Sequence, residues 1–74
     1  MKVLLDVGVS PRVRRPLQAA LDGVPVESAV YHRWRSLSDA ELLAEASAQG
    51  FTVLVTTDKR LGEQQRHPDL AVLV

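Results

Sequence analysis

The sequence predicts a small α/β fold, an open and mainly parallel four-stranded sheet with helices on both faces. Apolar runs at Lys2–Asp6, Phe51–Thr56 and Leu70–Val74 do not alternate with polar residues, as expected of parallel strands covered on both sides. Helical patterns separate these runs, and strands and helices alternate along the chain.

The first strand closes on Asp6. Ser10-Pro11 then supplies an N-cap and a proline at the first helical position, and Val13, Leu17, Ala20 and Leu21 form an apolar stripe that ends at Gly23. Pro16 lies inside that stripe and would remove the hydrogen bond to the Arg12 carbonyl, at about 3 kcal/mol in a regular helix interior. The spacing therefore predicts a kink or restart at Pro16. After Gly23-Val24-Pro25, the alternation of Val24, Val26 and Val30 with polar or small residues predicts an edge strand. Ser38-Asp39-Ala40-Glu41 is a capping box opening a helix that runs through Leu42, Leu43 and Ala46 to Gly50. A shorter helical turn follows Asp58 and ends before His67-Pro68.

Seventy-four residues, 46% hydrophobic and 24% charged, suit one globular domain over residues 1–74. The absence of Cys excludes disulfides, thiolate zinc sites and a cysteine nucleophile, and makes the cytoplasm the simpler expectation. Nine basic and nine acidic side chains give zero net charge, which argues against a broadly basic nucleic-acid binder and a polybasic membrane protein. No apolar run reaches the roughly 18 residues of a membrane span, and no leader pattern opens the chain, so a soluble protein made without an export signal is expected.

In an open parallel sheet, ligands bind beyond the carboxyl ends of the strands. Asp6 and Asp58 fall there, and Asp39 joins them if its helix starts on the same edge. Three converging carboxylates repel one another unless a divalent ion neutralises them, and oxygen donors favour Mg²⁺ or Mn²⁺. Such an ion polarises a phosphodiester and activates water. Each acid also has a structural reading. Asp6 can form an Asx turn, Asp39 can face the helix dipole, Glu41 completes the capping box, and Asp58 can cap the following short helix.

Met1-Lys2-Val3-Leu4-Leu5-Asp6, Ser10-Pro11-Arg12, Ser38-Asp39-Ala40-Glu41-Leu42 with Ala46 and Gly50, and Val53-Leu54-Val55-Thr56-Thr57-Asp58 together resemble the short PIN-like domain proteins of the DUF5615 or Mut7-C type, relatives of toxins in toxin–antitoxin pairs. The resemblance covers residues 1 to about 61. It implies a PIN-like fold and an Mg²⁺- or Mn²⁺-dependent endoribonuclease in which Asp6, Asp39 and Asp58 are the metal-binding and catalytic acids. It also implies a cognate antitoxin as partner. The chain departs from the family pattern at Val7-Gly8, where polar side chains are usual, and at Arg60 and Leu61, where an acid and an aromatic are usual. The family also continues past the strand at Leu70–Val74 with a further helix and strand. A degenerate RNA- or protein-binding module is the alternative these departures imply.

Between Ser10 and Ser36, Arg12, Arg14, Arg15, Arg33 and Arg35 face only Asp22 and Glu27, a local excess of three positive charges. Arg12, Arg15, Lys59 and Arg60 are the expected contacts to RNA phosphates, with Arg60 either a phosphate clamp or an adverse charge for the ion. Trp34 or Tyr31 can stack an unpaired base, although in a chain with three aromatics Trp34 is the natural closure of the core. His32 and His67 are too isolated for a metal pair and read as surface or turn residues, and no spacing suggests a nucleophilic triad. Self-association is expected, because the strand at Leu70–Val74 leaves apolar surface and an open edge.

Overall fold

The computed structural model describes residues 1–64 and 69–74. It contains strands β1 (Val3–Leu5), β2 (Val26–Ser28), β3 (Val53–Val55) and β4 (Ala71–Leu73), all parallel and ordered β2-β1-β3-β4. The expected open parallel α/β fold is present, with β2 on an edge. Val3 stands opposite Val26 and Val53, and Leu5 stands opposite Ser28 and Val55. Side chains alternate between faces in this register. Leu4 and Leu54 join Leu42, Leu43, Ala46 and Leu61 on one side, while Val3, Leu5, Val53 and Val55 pack with Leu17 and Leu21 on the other. Two covered faces explain why β1 and β3 are apolar throughout, whereas β4 departs from the expected two-sided cover, with Ala71 and Leu73 exposed at the sheet edge.

Helix α1 (Arg14–Ala20) follows a 3-10 turn at Pro11–Val13, where the Ser10 hydroxyl accepts the Arg12 N–H at 3.3 Å. The restart expected at Pro16 thus falls two residues earlier. Pro16 becomes the third residue of α1, within the first turn, where an N–H has no acceptor inside the helix and its loss costs little. The apolar stripe is shorter than expected: Val13 is exposed, as is Ala20, leaving Leu17 and Leu21 to meet the sheet.

Helix α2 (Asp39–Ala48) has the predicted capping box. The Glu41 N–H donates to the Ser38 hydroxyl at 3.2 Å, and the Ser38 N–H donates to the Glu41 carboxylate at 3.0 Å. That second bond holds the Glu41 carboxyl below its ordinary value. Past its end Gly50 turns with φ +88°, a conformation that costs any side-chain-bearing residue about 1–2 kcal/mol. Helix α3 (Lys59–Gln64) is the expected helical turn, and its expected end at His67-Pro68 lies outside the described residues.

The loop joining β2 to α2 is fastened to the sheet by a polar and aromatic group. His32 Nε2 lies 2.6 Å from Glu27, Lys2 Nζ lies 3.5 Å from the same carboxylate, and the His32 ring stacks on Trp34 at 4.5 Å. His32 is therefore a structural residue of this loop. Burial opposes ionisation of Glu27, but the His32 hydrogen bond and the Lys2 charge outweigh it, so its carboxyl titrates below the ordinary 4.5. A depressed folded pKa contributes stability above the unfolded value that is lost as pH falls through the folded one. Glu27→Gln is therefore expected to flatten the decline of stability below about pH 4.5. Urea unfolding at several pH values checks this, and parallel slopes for both proteins would refute it.

Candidate functional site at the carboxyl edge of the sheet

Strands β1 and β3 are neighbours, but the chain leaves β1 toward α1 on one face and β3 toward α3 on the other. Their carboxyl ends form the switch point at which open α/β sheets bind ligands. The register Leu5–Val55 makes Asp6 and Thr56 the next pair. Asp6 donates its N–H to the Val55 carbonyl at 2.8 Å, extending the ladder by one step.

Its carboxylate is held at both oxygens. Oδ1 accepts the Val7 N–H at 2.8 Å, and Oδ2 accepts the Thr56 hydroxyl at 2.7 Å. The Thr56 oxygen in turn accepts the Asp58 N–H at 3.0 Å, and Asp58 Oδ1 accepts the Arg60 N–H at 2.9 Å. Thr56 is buried and uses its hydroxyl as donor and acceptor at once, so one side chain ties the two loops together. A Cβ on Gly8 would lie 3.1 Å from the Thr57 hydroxyl, so the loop after β1 runs close against the loop after β3.

The structure thus links Asp6 and Asp58 through Thr56. Asp39 begins α2, exposed, with no bond joining it to that chain. Among the described residues no three acids or histidines form a group that could hold a metal ion. The donor set suits a divalent cation in part. Each Asp6 oxygen accepts a single bond and keeps a lone pair, and Mg²⁺ is commonly held by one or two carboxylates plus water. Against this, Arg60 Nε lies 3.8 Å from Asp58 Oδ1. The structural reading of Asp58 also holds, since it caps the start of α3, while Asp6 opens a backbone turn to the Val9 N–H and its carboxylate meets the adjacent Val7 N–H instead of forming the expected Asx turn.

The cations lie along the same edge. Lys59 and Arg60 are exposed at the start of α3. Arg12, Arg14 and Arg15 line an open groove of about 360 Å³ with Pro11 and Tyr31. None of these three arginines pairs with a carboxylate among the described residues. Trp34 packs against the core and meets Phe51 edge-on at 6.3 Å, the closure role expected of it. The roles of Thr56 and of the Glu27–His32 pair were not read from the sequence. Thr56 was open to detection, since a threonine one step past a strand, in register with Asp6, is placed to donate to it.

Fold and edge together define an open parallel α/β domain with a carboxylate pair at its switch point and a cationic groove alongside. Compared with known proteins, the chain matches no family model, no curated protein and no solved structure.

Proposed function

We propose that this domain is a PIN-like, Mg²⁺- or Mn²⁺-dependent endoribonuclease of the toxin type, acting in the cytoplasm. The observation that supports the reading is the coupling of Asp6 and Asp58 through Thr56 at the switch point, on the edge that also carries the groove arginines. Asp6 and Asp58 would hold the ion, with Asp39 approaching from the start of α2. The bound ion would neutralise phosphate charge and activate water. Arg12, Arg15 and Lys59 would take phosphates on either side, with Arg60 released from Asp58 to join them. A cognate antitoxin would cover this edge. A second copy of the chain would cover β4, where Leu73 and Val74 are exposed.

One observation favours a second reading, a non-catalytic RNA-binding or protein-binding module: Arg60 already stands against Asp58, where an ion would need negative charge. Calorimetric titration with Mn²⁺, followed by RNA cleavage with and without EDTA, separates the two. The nuclease reading expects EDTA-sensitive cleavage that falls by a factor on the order of a hundred or more in Asp6→Asn. Absence of Mn²⁺ binding, with cleavage unchanged in that variant, would sink it. RNA binding indifferent to chelator and without cleavage is the result expected of the second reading.

A further inference from the structure

Tyr31 is 69% exposed, although the chain has one Phe, one Trp and one Tyr with which to build a core. Phe51 and Trp34 are committed to that core, and Tyr31 lies instead on the wall of the arginine groove. The backbone that carries it is fixed by a local turn. The Tyr31 N–H donates to the Ser28 carbonyl at 3.1 Å, the Val30 N–H to the Ser28 hydroxyl at 3.2 Å, and the Arg33 N–H to the Val30 carbonyl at 3.2 Å. Closing this turn places Arg33 at φ +60°, a conformation uncommon for a residue with a side chain. The loop is also pinned from behind by His32 on Glu27 and Trp34. An aromatic ring exposed to water beside three guanidinium groups that have no carboxylate partner among the described residues suits a ligand that has both a planar face and phosphates.

We propose that the groove of Pro11, Arg12, Arg14, Arg15 and Tyr31 is a nucleotide subsite in which Tyr31 stacks one unpaired base while the arginines hold the flanking phosphates. It rests on the RNA-binding part of the function proposed above and adds a requirement: the base must be free of a complementary strand, because a duplex offers its faces only to neighbouring bases. Arg12 and Arg15, both exposed, supply charge that is indifferent to base identity, so the subsite accepts any base with a π face.

Fluorescence anisotropy tests this with a labelled single-stranded RNA of about a dozen nucleotides, its duplex, and the same strand carrying abasic sites. Tyr31→Ala is expected to weaken single-strand binding about tenfold, and Tyr31→Phe to leave it near the native value. Abasic RNA is expected to bind the native protein as weakly as intact RNA binds Tyr31→Ala. Arg12→Ala is expected to weaken strand and duplex alike and to flatten the salt dependence. Since the Tyr31 ring lies at the surface, unchanged melting of Tyr31→Ala separates lost stacking from lost fold. Equal binding of intact and abasic strands, or an unchanged Tyr31→Ala, would overturn the subsite and leave RNA binding standing. Failure of the native protein to bind any RNA would overturn both.

Discussion

Phe51→Ala is expected to lower the unfolding free energy by about 3–5 kcal/mol, the usual range for removing a buried aromatic side chain. A domain of 74 residues holds about 4–11 kcal/mol in all, so the variant should lose at least about a quarter of its stability, and all of it if the native protein lies at the low end. Phe51 carries this weight because it belongs to the larger of the two core clusters and is essentially inaccessible to solvent. It also meets two other rings at near right angles, His32 at 5.9 Å and Trp34 at 6.3 Å. Lys2 Nζ stands 4.2 Å from its ring centre while donating to the Gln49 carbonyl at 3.1 Å, which joins the end of α2 to the start of β1. Truncation therefore opens a cavity and loosens the contacts of Lys2 and of the loop that carries His32 and Trp34. Urea unfolding should show the midpoint falling by about a quarter or more, whereas Phe51→Leu should cost less, because it leaves a smaller void. A loss below about 1 kcal/mol for the alanine variant would mean that the site collapses around it and that the aromatic group is not a support of the fold.

What the sequence made legible was local. The capping box is written in four consecutive residues, Ser38 to Glu41, and both of its bonds form. The unalternating runs at β1 and β3 anticipate burial on two faces, and the alternation around Val26 anticipates an edge. The restart falls at Arg14 and not at Pro16 for an equally local reason: the effect of a proline depends on where the helix begins, and the 3-10 turn ahead of Arg14 moves that origin past the expected one. The site was legible in part. Asp6 and Asp58 could be assigned to one edge from strand order, because Asp6 directly follows β1 and Asp58 follows β3 after two threonines. Asp39 depends on the path of the ten residues between β2 and α2, and no spacing rule fixes that path. His32 was out of reach for the same reason: its bond to Glu27 requires the turn at residues 30–33 to fold back over β2.

Thr56→Val should separate the hydroxyl from the packing at the switch point. Valine keeps the volume and the β-branch, so the sheet edge stays filled, but it replaces the oxygen that serves both loops. Asp6 Oδ2 would lose its donor and the Asp58 N–H its acceptor, beside a methyl group that excludes water from both. A buried polar group left without its partner costs about 1–3 kcal/mol, and Asp6 retains some exposure, so a loss of about 2–3 kcal/mol is expected. Thr56→Ser keeps the hydroxyl and gives up one methyl, at about 1 kcal/mol. The ordering native, serine, valine in urea unfolding is therefore the signature of the bridge. The reverse ordering would mean that backbone pairing alone sets the two carboxylates. The same pair of variants bears on the ion: if Asp6 and Asp58 act together, a Mn²⁺ response in calorimetry should survive in Thr56→Ser and disappear in Thr56→Val. That contrast does not depend on how much stability each variant loses, provided both are measured where they remain folded.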